Sequence, residues 1–347
     1  MSAPALAQLQ APAKEWVRRR KDGAGIDPTL DPVQQRVLEL QRDAGNAAVT
    51  QLVGAKASEA VPEDPVTLGQ AKAIFEQGAA AYDKGEFGKA YDQFTRAYEL
   101  SPRPGIVFSR AQALRRLGGR TEEAIQLYQQ YLAMGESNRA TQAAQFVKEL
   151  QAPEPTGDVD VDTAAGKGAF NAGARFYEQR DFAHAYDEFT KSWELTHRPA
   201  LLFSRAQALR RLGGRREEAI ELYKAYIALG DGARDADANR FIGELATPES
   251  TGDVDKNLEL SKSIFEKGAR FYEANDFSHA YDEFTRSYEL TERPPLLFSR
   301  AQAMRRMGGR REQAMELFQQ YLDTGDTKRA ADAKAILDDL RTKGISK

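Results

Sequence analysis

The stretch Phe108-Ser109-Arg110-Ala111-Gln112-Ala113-Leu114-Arg115-Arg116-Leu117-Gly118-Gly119-Arg120 recurs unchanged from Phe203 to Arg215. A third copy runs from Phe298 to Arg310, with Met304 and Met307 in place of the two leucines. Both steps are 95 residues (108 to 203 to 298). Copying this close marks a tandem array, whose units bury their apolar faces against neighbouring elements. The copies share chemistry as well as register. Arg110, Arg205 and Arg300 are equivalent, and each is followed by an arginine pair, at 115/116, 210/211 and 305/306.

Composition narrows the function classes. The chain has 347 residues, 41% hydrophobic and 29% charged, and a formal net charge of -3. That balance gives no electrostatic reason to expect nucleic acid or an anionic membrane as partner. The absence of cysteine removes disulfides, thiol catalysis and thiolate metal sites. The N-terminus lacks the basic start and apolar core of a signal peptide. No run reaches the ~20 apolar residues of a membrane helix. A cytoplasmic chain without membrane insertion is expected.

Outward from the opening stretch, three modules are read at 68–152, 163–247 and 258–343. Each is expected to hold five helices. In the first, Phe87, Ala90, Tyr91, Phe94 and Tyr98 fall on one helical face. Arg103-Pro104 restarts the chain, since the residue before proline disfavours helix and proline suits a first turn. Gly118-Gly119 ends the next helix. A last helix, Arg139–Leu150, reads as a cover for the exposed end of the preceding pair. The stretches 54–67, 153–162 and 248–257, with their Pro, Gly and acidic residues, read as linkers.

A second period lies inside each module. Gly78, Gly85, Phe87, Ala90, Phe94, Ala97 and Pro102 fall on the spacing of the tetratricopeptide repeat, and a shift of about 34 residues places Phe108, Ala124 and Tyr128 on Ile74, Ala90 and Phe94. Each module therefore resembles two tetratricopeptide units and a capping helix. The resemblance implies an all-α, helical-hairpin solenoid architecture with concave grooves for peptides or proteins. The pattern departs at Gln112, where the family has a small residue, and at Arg115, where it has an aromatic.

Residues 1–53 differ from the modules. Asp31-Pro32 is a helix start, and Val33, Val37, Leu38 and Leu40 form an apolar stripe. The segment from Leu40 to Val49, with Arg42, Gly45 and Asn46, resembles an N-terminal motif of bacterial proteins associated with extracellular contractile injection systems. It reads either as a docking or targeting segment or as a helical hairpin packed on the first module.

Catalysis finds little support. The histidines are His184, His197 and His279, of which His184 and His279 stand at the position of Lys89, on the polar side of a helix. No metal-binding HExxH, phosphate-cradling glycine loop or nucleophile elbow is present. Asp158-Val159-Asp160-Val161-Asp162 lacks the spacing of a calcium loop. No enzyme activity, cofactor or metal is expected.

The arginines are the better lead. On a helical wheel Arg110 falls among Ile106, Val107, Ala113, Leu114 and Leu117, while Arg115 and Arg116 flank the opposite side. A charge so placed is either paired or faces a groove. The pairing reading ties Arg110, Arg205 and Arg300 to a carboxylate of the preceding helix, Asp92 or Glu99 and their copies. The groove reading offers guanidinium groups to a peptide carboxylate or carbonyl. The resemblance bears on this, because family members that clamp a terminal carboxylate use Lys and Asn on the first helix. Here those places hold Phe75 and Ala79 and their copies, so the clamp is incomplete. Arg110 is therefore assigned to the tie. Arg116, Arg211 and Arg306 are the groove candidates, with the aromatics Tyr82, Tyr177, Tyr272, Phe75, Phe170 and Phe265 beside them. The reading as a whole is a scaffold or adaptor for protein or peptide partners, repetitive ones included. The N-terminal resemblance implies an accessory of a contractile injection apparatus; the alternatives are a secreted effector with an N-terminal loading segment, or a structural spacer.

Overall fold

The computed structural model describes residues 65–342 apart from 136 and 231, and the N-terminal docking segment with Leu40, Arg42, Gly45 and Asn46 lies outside them. Among the described residues there are fifteen helices and no strand. The first copy comprises α1 (Pro65–Asp83), α2 (Phe87–Leu100), α3 (Pro104–Leu117), α4 (Thr121–Ala133) and α5 (Ala140–Leu150). The second comprises α6 (Val159–Glu178), α7 (Phe182–Thr196), α8 (Pro199–Leu212), α9 (Arg216–Ala228) and α10 (Asp235–Leu245). The third comprises α11 (Val254–Glu273), α12 (Phe277–Thr291), α13 (Pro294–Met307), α14 (Arg311–Asp323) and α15 (Ala330–Thr342). Two antiparallel hairpins and a closing helix make each copy, as the tetratricopeptide resemblance implies.

Local chemistry sets the ends. Pro104 occupies the first turn of α3, where its missing N–H costs nothing. Gly118 ends that helix at φ 71, a conformation glycine adopts freely. Asp158 caps α6 by accepting from the backbone N–H of Asp160 and Val161. Asp253 does the same for α11 with Asp255 and Lys256. Those helices therefore begin inside the stretches read as linker, because the acid is an N-cap acceptor and not part of an extended run.

Inside a copy the core is aromatic. Phe108 is 1% exposed and meets Tyr128 and Tyr131 edge-on, with ring centroids 5.6 and 5.2 Å away. Phe146 of α5 completes the cluster, and Arg115 stacks on its ring at 4.0 Å. The departure at Arg115 thus holds the closing helix. Arg210 repeats this on Phe241, also at 4.0 Å. Between α1 and α2 the backbone comes close: a Cβ on Gly78 would lie 2.7 Å from the Phe94 ring.

The copies are joined in a cycle. The Gly118-Gly119 turn abuts the start of α7, where the Gly119 N–H donates to Asp187 at 2.8 Å. Gly214 N–H donates to Asp282 of α12, and Gly309 N–H returns to Asp92 of α2, both at 2.8 Å. The third copy therefore closes onto the first, and the array is a ring.

Candidate functional site

Three helices of each copy contribute to the groove site proposed from sequence. Arg116 is exposed at the end of α3 and lies over the Phe87 ring of α2 at 5.1 Å. Phe87 in turn meets Tyr82 of α1 edge-on at 5.2 Å. Tyr82 donates its hydroxyl to Gln112 at 3.3 Å, so the second departure from the family pattern reaches this patch. The second copy repeats it with Arg211 over Phe182 at 5.2 Å and Tyr177 beside that ring at 5.1 Å. The third has Arg306 over Phe277 at 4.7 Å and Tyr272 at 5.2 Å. Among the described residues no carboxylate pairs with these three arginines. Each guanidinium lies over an aromatic ring at the exposed end of its helix.

The phenylalanines assigned to the same groove sit apart from this stack. Phe75 packs on Phe94 at 5.1 Å, Phe170 on Phe189 at 5.6 Å and Phe265 on Phe284 at 5.1 Å. Phe75 and Phe265 are half-buried, while Phe170 is 40% exposed. They lie two turns back along the helix face that carries the tyrosine.

The tie assigned to Arg110 takes a different form. Its Nε donates to Thr95 Oγ1 at 3.1 Å and its guanidinium lies 5.0 Å over the Tyr98 ring. Arg300 repeats both contacts, with Thr285 at 3.1 Å and Tyr288 at 5.0 Å. Arg205 donates to the Tyr186 hydroxyl at 3.3 Å. The expected carboxylates serve the ring instead: Asp92 takes the Gly309 N–H, and Glu99 pairs with Arg311. An aromatic face and a hydroxyl hold the arginine within the copy, which frees the acids to join copies.

The joints between copies carry chemistry that the sequence reading missed. Arg120, Arg215 and Arg310 each reach into the preceding joint of the cycle. Arg120 donates to the Gly309 carbonyl, Arg215 to Gly119 at 2.9 Å and Arg310 to Gly214 at 3.4 Å. Glu123 and Glu218 neutralise the first two, while Gln313 stands at the third equivalent place. Burial pushes the Arg310 guanidinium below its ordinary value, and the charges of Arg120 and Arg215 add to this. The three arginines therefore converge.

The joint carboxylates are desolvated too. Burial pushes Asp92 up to about 6 and Asp282 up to about 7, against the hydrogen bonds from Gly309 and Gly214. Asp187 is raised for the same reason. His184 and His279, placed by sequence on a polar helix side, sit at joints instead. Their Nε2 atoms lie 3.2 and 3.3 Å from the carbonyls of Arg115 and Arg210, and their Nδ1 atoms contact Asp181 and Asp276 at 2.8 Å. The only sequence sign of these contacts was that the residues recur at the period of the array.

No protein-family model and no curated protein matches the chain. Among solved structures it is similar to the "TPR2AB-domain:pHSP90-complex of yeast Sti1", at 15% identity over 80% of this chain and 98% of that one, with a TM-score of 0.22. It is also similar to the "P58(IPK) TPR Domain", at 15% identity over 79% and 91% of the two chains, with a TM-score of 0.23. Neither likeness bears on what this chain binds. Among the described residues no helix is long and apolar enough to cross a membrane, and no group of His, Asp and Glu is set to hold a metal.

Proposed function

We propose that the chain is a non-enzymatic adaptor that presents three equivalent binding patches to a peptide or protein partner. The observation that carries this is the threefold Tyr–Phe–Arg stack: Tyr82–Phe87–Arg116, Tyr177–Phe182–Arg211 and Tyr272–Phe277–Arg306. An exposed arginine fixed on an aromatic face suits a carboxylate or backbone carbonyl, because it loses little freedom on binding. A partner with repeated motifs would gain avidity from three linked sites without any new contact. The segment around Leu40–Val49 supports placing the array at a bacterial contractile injection apparatus as an accessory.

The test is a capture experiment with full-length protein and a variant carrying Arg116→Ala, Arg211→Ala and Arg306→Ala. The variant is expected to lose the partners that wild type retains. Recovery of the same partners at the same yield would remove the patches from the binding surface.

A further inference from the structure

The three joints of the ring share a plan, but at the start of α4 one of them lacks a group that the other two carry. At the joint from the second copy to the third, Arg216 opens α9 and its Nη2 bridges two carboxylates, Glu217 at 2.5 Å and Glu289 at 2.7 Å. Its Nη1 donates to the Leu245 carbonyl at the end of the closing helix, at 3.2 Å. At the joint from the third copy to the first, Arg311 repeats the set. It binds Glu99, Glu312 at 3.1 Å and the Leu340 carbonyl at 3.4 Å. At the joint from the first copy to the second, the equivalent residue is Thr121.

The acceptors persist where the guanidinium is missing. Glu122 stands for Glu217 and Glu312, Glu194 for Glu289 and Glu99, and Leu150 for Leu245 and Leu340. Thr121 and Leu150, with the exposed carboxylates Glu122 and Glu194, border one open cavity of about 1040 Å³, with Trp193 beside them and Gly309, Arg310 and Glu312 of the third copy also on its wall. The nearby cations are engaged elsewhere: Arg205 donates to Tyr186, and Lys191 to Glu188 and to the Glu149 carbonyl. Glu194 shows the consequence. Burial raises its carboxyl above the ordinary value and the charge of Glu122 adds to that, against the pull of Arg205 and Lys191.

We infer that this joint is a receptor for the guanidinium group of an arginine-bearing peptide, which bridges Glu122 and Glu194 and donates to the Leu150 carbonyl as Arg216 and Arg311 do at the other joints. The chain thus shows twice, with its own side chains, the geometry the ligand would take. A planar fork of donors fits two carboxylates and a carbonyl in a way that a point charge does not. Thr121 leaves the volume for it, and Trp193 with the Leu150 side chain offers an apolar wall for the arginine stem. The site is separate from the Arg116 patches and does not rest on them.

The test uses full-length protein and N-acetyl-arginine methylamide, with the citrulline and lysine counterparts as controls, read by calorimetry or by NMR line shifts. Wild type is expected to bind the arginine probe, to bind the lysine probe less well and to ignore citrulline. Thr121→Arg supplies the missing group in cis. It is expected to abolish probe binding and to raise the melting temperature. Should Thr121→Arg fail to fold, Glu194→Gln is the second variant, expected to weaken the probe about tenfold. A further variant with Arg18, Arg19 and Arg20 changed to Ala separates the sources of the guanidinium. Tighter probe binding than wild type identifies this chain's own basic run as an occupant, and equal binding identifies an external peptide. Absence of arginine-probe binding in both wild type and that variant overturns the proposal. So does probe binding unchanged by Thr121→Arg or Glu194→Gln, or citrulline bound as well as arginine.

Discussion

At the scale of single residues, several identities follow from distances of a few tenths of an ångström. Gly173 of α6 faces the Phe189 ring so closely that a Cβ would sit 2.7 Å from it, whereas a Cβ on Gly168, in the same helix, would meet nothing within 4 Å. Gly173→Ala is therefore expected to destabilise the protein by about 1–3 kcal/mol, because the ring must leave its rotamer or the helices must part. Gly168→Ala is expected to be neutral or to stabilise by roughly 0.5–1 kcal/mol through helix propensity alone. Urea midpoints of the two variants measure the difference, and equal midpoints would show that α6 and α7 are not in that contact. The register of the repeats made Gly78 and its copies legible as small positions. Arg116 and Tyr82 were legible as candidates by the same register. That Phe87 lies between them was not, because a helical wheel treats one helix at a time and the stack takes a side chain from each of three.

At the scale of elements, the helices were mostly readable from their punctuation: Pro104 and its copies at starts, Gly118 and its copies at ends. The misread linkers show the limit, since Asp158 looks alike as a solvated acid and as an N-cap. The glycine pairs show another. Gly118-Gly119 was read only as a turn, yet a Cβ on Gly118 would lie 3.0 Å from Ala183 of the next copy. A repeat says which residues are equivalent, not which copies touch, so the joints and their buried acids could not be read. These acids give the helix ends at the joints a pH dependence. Asp282 of α12 is raised to about 7 by burial, with Glu217 adding to the rise and Gly214, His279 and Arg216 opposing it. A carboxyl raised in the folded state holds its proton more tightly there than in the unfolded chain. Its contribution is complete below the unfolded value near pH 4 and is lost as pH rises through about 7. Asp282→Asn keeps an oxygen to accept from Gly214 without the charge. Over that window the variant is expected to lose less stability than wild type, by on the order of 4 kcal/mol. Urea unfolding at several pH values measures it, and parallel curves for the two proteins would remove Asp282 as the source.

At the scale of the molecule, closure is the property that the copies have together and none has alone. Two joints follow consecutive copies along the chain, and the third brings α14 back to α2. That last joint carries Gly309 to Asp92 and Arg311 to Glu99, with Arg311 9% exposed at its side chain and Glu99 about half exposed. Since the other two joints already hold the ends near each other, closing is intramolecular and needs only a modest contact energy. Reversing one charge should then open the ring without unfolding any copy. Glu99→Arg sets two guanidinium groups against each other, and Arg311→Glu places its carboxylate beside Glu99 and Glu312. Each is expected to cost about 1–3 kcal/mol at the joint and to raise the radius of gyration in small-angle scattering. Helix content by circular dichroism should stay at the wild-type level, since each copy keeps its own aromatic core. The double variant restores opposite charges with exchanged partners, and its scattering curve should return toward wild type. That recovery is the informative result: general destabilisation would add across the two changes, whereas a broken pair is repaired by exchange. A double variant as expanded as either single one would mean that closure rests on the glycine turn and Asp92, with the ion pair contributing nothing.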